Sequence, residues 1–203
     1  MTATSAPFGF RASFHNSGQM RPKAYAIASG YAVSIFSGDP VKLIDTGFVN
    51  LGTSDGTRSG TTDGVKLLGI CAGVEYLDST GKPTISPFWT GGTSVYNSGS
   101  CTVWVYDDPE TIFDAQYANP GTPGTTSMQT AVGEQADWRV ASPGGSTATG
   151  ISNTYLGVLQ STSGQFQITC FQGNITDSIT DAYAVVTVRI NEHQYKASVN
   201  TVA

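Results

Sequence analysis

The sequence predicts a mainly β protein, a short-stranded barrel or sandwich with one short helix and an extended N-terminal arm. Three observations carry this expectation. Brief β-branched and aromatic runs recur along most of the chain, Gly-, Pro- and Asp-rich turns separate them, and one segment, 128–138, has a helical period. The 203 residues are enough for a sizeable core. They divide into an arm at 1–23 and a β-rich domain at 24–203, with a split into two subdomains allowed near 118–127.

The arm carries Pro7, Phe8, Phe10 and Phe14 with Arg11 and Arg21, and it follows neither the helical nor the strand period. Aromatics placed this way are not buried by the segment itself, so they are expected to lie across a surface, its own or a neighbour's. Phe8, Phe10, Arg11, Phe14 and Arg21 are therefore candidate contact residues.

Strands follow at 23–29 and 31–36, divided by Gly30 and closed by the turn Ser37-Gly38-Asp39-Pro40. Further short strands fit 41–44 and 48–51, before a Gly-rich loop at 52–64 whose Asp55-Gly56 and Asp63-Gly64 pairs suit tight turns. The apolar run 65–76 contains Gly69 and Gly73, which disfavour a helix and fit a bent or bulged central strand. Segment 83–89 ends in the aromatic knuckle Pro87-Phe88-Trp89, and Phe88 and Trp89 join the candidate contact residues. Segment 101–106 (Cys, Thr, Val, Trp, Val, Tyr) reads as a central strand with Trp104 in the core.

Asp107-Asp108-Pro109-Glu110 breaks that strand, and a new one resumes at 111–117. Met128, Val132, Gln135 and Trp138 fall near one helical face, so 128–138 is the predicted helix. Strands are then expected at 154–159, 165–171 and 181–190. In the last of these Ala184, Val186, Val188 and Ile190 form a purely apolar face opposite Tyr183, Val185, Thr187 and Arg189.

Charged residues are only 12% of the chain, about half the usual share. Low charge suits a chain that works packed against something, because charge normally keeps neighbours apart. Ten Lys and Arg stand against 15 Asp and Glu, for a net charge of -5, and no window holds a basic cluster. Direct nucleic-acid binding, which needs several cations on one face, is not expected. Neither a signal-like leader nor an apolar run of membrane-spanning length is found, so a soluble protein made in the cytoplasm is expected. Cys71, Cys101 and Cys170 match neither a disulfide framework nor a zinc spacing and are read as buried thiols.

No catalytic pattern emerges. His15 and His193 are far apart, without a recognisable nucleophile beside either. Asp107, Asp108 and Glu110 form the densest acidic cluster. Paired carboxylates can do acid–base work or contribute to an ion site, but Pro109 stands where a calcium loop would need glycine, so a solvated turn or an interface charge partner is the reading preferred. No enzyme activity, cofactor or metal is expected.

A resemblance adds to this reading. Pro7-Phe8-Gly9-Phe10-Arg11 with Phe14-His15 and Ser17-Gly18, then Ala24-Tyr25-Ala26-Ile27-Ala28-Ser29-Gly30-Tyr31 and Gly38-Asp39-Pro40-Val41, resembles the opening of small structural proteins encoded with the capsid genes of tailed bacteriophages. Leu68-Gly69-Ile70-Cys71-Ala72-Gly73-Val74-Glu75-Tyr76 and Val103-Trp104-Val105-Tyr106-Asp107-Asp108-Pro109 resemble the same group. The resemblance implies a head decoration or cement protein, bound to the major capsid protein on the virion exterior after assembly in the host cytoplasm. It also implies a homo-oligomer, a dimer or trimer on the lattice, and supplies no catalytic residues. The competing expectations are a tail or baseplate component and a host-surface module that binds carbohydrate through Trp89 or Tyr96.

Overall fold

The structure is a computed structural model describing residues 5–54, 57–58, 64–118, 131–160, 163–171 and 183–196. Among these residues the chain forms fourteen strands and one 3₁₀ turn, Tyr96–Ser98. The first seven are β1 (Arg11–Phe14), β2 (Lys23–Ala28), β3 (Ile35–Phe36), β4 (Pro40–Leu43), β5 (Val49–Leu51), β6 (Gly69–Leu77) and β7 (Pro83–Ser86). The rest are β8 (Phe88–Trp89), β9 (Ser100–Tyr106), β10 (Ile112–Gln116), β11 (Gln135–Gly145), β12 (Ser152–Gln160), β13 (Phe166–Phe171) and β14 (Val185–Ile190).

Two open antiparallel sheets and a small ribbon result. The first sheet runs β2-β9-β6-β4-β5 with β7 also paired to β6, and the second runs β1-β10-β14-β13-β11-β12; β3 and β8 form the ribbon. In the first sheet the two edge strands approach at a parallel bridge, Ala26 with Phe48, and in the second a parallel bridge joins Tyr117, just after β10, to Leu156 of the edge strand β12. Neither closes into a barrel, which corrects that part of the expected architecture.

Period-two alternation sorts the side chains, because each strand turns one row of them inward. On β9, Cys101, Val103 and Val105 are buried, and on β14 Val186, Val188 and Ile190 are. Ile27, Val41, Val49, Leu68 and Val74 pack with the β9 row inside the first sheet, together with Trp89. The second cluster gathers Phe113, Trp138, Leu156, Phe166 and Val188 but also takes in Phe10, Leu51, Leu67 and Ile70. One apolar cluster therefore spans both sheets.

Two glycines of β6 have specific work. Gly73 sits at φ +151° where the β6–β9 register slips, the bulge foreseen for a bent central strand. A Cβ at Gly69 would run into the Tyr106 carbonyl, so only glycine lets β9 approach there.

The predicted helix is overturned. Gly133 takes φ +93°, its N–H donates to Ile168 O (2.8 Å), and Ile168 N–H donates to Glu134 O (3.0 Å). From Gln135 the chain is β11, paired with β12 and β13. Ala136 and Trp138, two apart, both sit fully buried in the shared apolar cluster, and Asp137 between them is buried as well, where it accepts from Gln165 N–H (3.1 Å). Met128 lies outside the described residues, as does most of the 118–127 stretch where a division into subdomains was allowed. The chain passes from the first sheet to the second through residues 107–111, between β9 and β10.

Residues 6–14 lie along the chain's own second sheet. Ala6 N–H donates to Gln116 Oε1 (2.9 Å), Gly9 N–H to Thr154 O (3.1 Å) and Phe10 N–H to Gly38 O (2.9 Å), and β1 pairs with β10.

Candidate functional site

In an antiparallel ladder, directly paired residues share a face. Ala24 pairs with Trp104, Ala26 with Thr102 and Ala28 with Ser100 across β2 and β9. Thr102 pairs with Glu75 across β9 and β6, and Glu75 with Ile85 and Leu77 with Pro83 across β6 and β7. These residues make up the outer face of the first sheet, since the alternating residues of the same strands fill its core. The small side chain of Ala24 stands directly across from the indole, with Ala26 and Ala28 further along the same row. Trp104 is 37% exposed, Leu77 44% and Ile85 81%. Trp104, Glu75, Leu77, Pro83 and Thr102 help to line an open groove of about 460 Å³. Among the described residues that line it, Glu75 is the one acidic or basic side chain of the Asp, Glu, Lys, Arg set. This face can exclude water over an apolar strip and offer one carboxylate, which is the chemistry of a contact surface.

A second cluster forms where the chain crosses between the sheets. Asp107 is buried, and its Oδ2 accepts from Lys23 Nζ (2.9 Å) and Tyr25 Oη (2.6 Å). Tyr25 Oη also reaches Tyr195 Oη at 3.4 Å. Beside it His15 Nε2 lies 3.3 Å from Asp108 Oδ2, with Ser17 Oγ at 2.7 Å from His15 Nδ1. A cleft of about 260 Å³ runs past His15, Arg21, Lys23, Asp107 and Asp108. The backbone N–H of Glu110 holds the Asp108 carboxyl below its ordinary value, helped by His15 and Lys23. The bond to Asp107 raises Lys23. Burial, followed by the contacts with Asp107 and Tyr195, raises Tyr25 and keeps its hydroxyl protonated. With both donors fixed on one carboxylate oxygen, the cluster holds three chain segments together. Among the described residues no group of His, Cys, Asp and Glu has the arrangement of a metal site.

A third polar group lies inside the molecule. Arg58 donates to both Asp39 oxygens (2.6 and 3.1 Å), to Ser34 O (2.9 Å) and to Gly144 O, and its guanidinium lies 4.9 Å from the centre of the Phe36 ring. Phe36 N–H and Ser152 Oγ also donate to Asp39, at 2.7 and 2.5 Å. This network fastens the β11–β12 hairpin to the first sheet.

The residues singled out as contact candidates are scattered. Phe10 is 2% exposed and stacks on Phe166 with ring centres 4.2 Å apart, and Trp89 is fully buried with its indole N–H donating to Tyr31 O (3.0 Å). Both are enclosed by the chain's own side chains and offer no surface to a partner. Phe8 is half-buried under the Arg11 guanidinium, and Phe88 is half-buried and stacked on Phe36. Phe14, Arg11 and Arg21 are exposed, Arg21 within the cleft beside Asp107.

Trp104, expected in the core, stands on the outer face instead. The signal was present in its strand, where Thr102, Trp104 and Tyr106 alternate with Cys101, Val103 and Val105 and only the second set is small and uniformly apolar. Of the three cysteines, Cys71 and Cys101 are buried and Cys170 is exposed. Burial raises the Cys71 thiol and pushes Cys101 up to about 12, so neither supplies a thiolate near neutral pH.

No protein-family model matches the chain, no curated protein is significantly similar to it, and no solved structure matches its fold.

Proposed function

We propose that this chain is a non-catalytic structural protein of the virion, which binds the outer surface of the major capsid lattice as a dimer or trimer and stabilises the expanded head. The observation that carries the reading is the outer face of the first sheet, where Trp104, Leu77 and Ile85 stand exposed on one continuous ladder. A monomer seldom leaves large apolar side chains grouped in this way unless something covers them. The sequence segments that resemble capsid-associated proteins, 68–76 and 103–109, include most of β6 and half of β9, the strands that bear Glu75 and Trp104. The low charge of the chain fits a surface meant to be covered. Exposed Phe14, Arg11 and Arg21 give the N-terminal segment a means of touching a neighbour as well.

The energetics suit a clamp. Each 100 Å² of apolar area covered contributes roughly 2.5 kcal/mol before ordering costs. Repetition over a lattice, with oligomers engaging several sites at once, adds avidity to a modest single contact.

Purified heads with and without the protein test this directly. Electron microscopy should show it on the exterior, and heads that carry it should survive higher temperature and lower salt than heads that lack it. Absence from mature heads, or unchanged stability at saturating occupancy, would overturn the proposal.

A further inference from the structure

The chemistry of the groove on the first sheet narrows what can occupy it, and this step rests on the reading of that face as an interface. Trp104 presents the largest aromatic surface there, and an indole face attracts cations more strongly than the ring of Tyr or Phe. Glu75 pairs directly with Thr102, the same-face residue two before Trp104 on β9, so it is a diagonal neighbour of the indole, and among the described residues no Lys or Arg lines the groove to neutralise it. An uncharged apolar occupant would have to strip water from that carboxylate without replacing it. The chain as a whole carries a net charge of -5, so a basic partner is also drawn toward it at longer range.

We propose that the groove takes an arginine side chain from a basic, otherwise apolar segment of a protein partner, with the guanidinium held by Glu75 and Trp104. Arginine fits better than lysine because its planar, weakly hydrated guanidinium both stacks on aromatic faces and pairs with a carboxylate through two N–H groups. Apolar residues flanking the arginine would cover Leu77 and Ile85, the exposed aliphatic side chains of the same face.

The test uses the whole chain, labelled with ¹⁵N, and three probes: Ac-Leu-Arg-Leu-NH₂, Ac-Leu-Gln-Leu-NH₂ and the neutral oligosaccharide maltohexaose. The indole N–H resonance of Trp104, assigned by its loss in Trp104→Phe, is followed during titration. The indoles of buried Trp89 and Trp138 report whether each variant keeps its fold. The arginine peptide should shift the Trp104 resonance saturably. Glu75→Gln should weaken that binding about fivefold, the size of effect expected for an exposed charge and aromatic contact. Added salt should weaken it in wild type and have little effect in the variant.

Equal shifts from the arginine and glutamine peptides, or unchanged binding in Glu75→Gln, would overturn the proposal. A response to maltohexaose alone would also overturn it and assign the face to glycans. Binding of the arginine peptide by a protein that never occupies heads would leave the groove assignment standing and remove the capsid reading. Head occupancy without any arginine response would do the reverse.

Discussion

Asp39 and Arg58 form a buried charge pair that ties the β11–β12 hairpin to the first sheet. The Asp39 side chain is fully enclosed, and Arg58 also satisfies the carbonyls of Ser34 and Gly144. Replacing Arg58 with methionine leaves a carboxylate in the interior without its counter-ion, although the Ser152 hydroxyl and the Phe36 N–H remain. Removing one partner of such a pair costs about 3–5 kcal/mol, so Arg58→Met should lower the urea midpoint sharply while the slope of the transition is kept. A change below about 1 kcal/mol would mean that the pair contributes little beyond what a well-packed apolar side chain can replace. At this scale the sequence was only partly readable. Gly38-Asp39-Pro40 announces a turn, but nothing local shows that Asp39 meets an arginine nineteen residues later, because the contact depends on how loops fold back. The two tryptophans differ in this respect: Trp89 lies in the two-residue strand β8, too short to show a period, so its enclosure depends on partners distant in sequence, whereas the alternation that turns Trp104 outward is legible within β9.

Elements were more legible than their contacts. The bent strand β6 followed from Gly69 and Gly73, and the apolar row of β14 followed from strict alternation. β11 was misread because Met128, Val132, Gln135 and Trp138 imitate a helical stripe, whereas Ala136 and Trp138 enter the shared apolar cluster from a strand paired with β12. The segment after β14 straps the second sheet to the first. Leu67 N–H donates to Glu192 O, Gln194 N–H donates to Leu67 O, and the Gln194 side chain exchanges hydrogen bonds with Leu43 (2.7 and 2.8 Å). His193 lies buried in this strap, and its Nδ1 accepts from Tyr195 N–H (3.0 Å), which places the proton of the neutral ring on Nε2.

Burial lowers the His193 pKa, against the opposing pull of Asp107 and Asp108. The folded chain therefore takes up this proton less readily than the unfolded chain, whose imidazole titrates near about pH 6.5. The contribution of His193 is complete above that value and is lost as the pH falls from about 6.5 through the lower folded value, at no more than about 1.4 kcal/mol per pH unit. Urea denaturation at pH 7.5 and pH 5.5 should show the protein weaker at the lower pH. His193→Asn, which keeps an acceptor for Tyr195, should flatten that difference. The same loss in the variant would assign the effect to another group.

On the scale of the whole molecule, two curled sheets share one apolar cluster, and the chain crosses between them at 15–22 and 107–111, where His15 meets Asp108. The strap at 191–195 follows β14 and bonds to Leu67 and Leu43. The mainly β class was visible in the spacing of turns and strands. The way the sheets join was not, because Phe10, Leu51 and Leu67 look locally like residues of three unrelated segments. The crossings and the strap also explain why His15 and His193, far apart along the chain, gather at the acidic pair Asp107 and Asp108. What remains outward is the face of Trp104, Leu77 and Ile85, on which the proposed role depends. A cryo-electron microscopy reconstruction of decorated heads, with this structure fitted into the added density, tests that role most directly. The account predicts density on the outer shell with the Trp104 face of the first sheet turned against the major capsid protein. Heads without the added density, or density in which that face points to solvent, would contradict it.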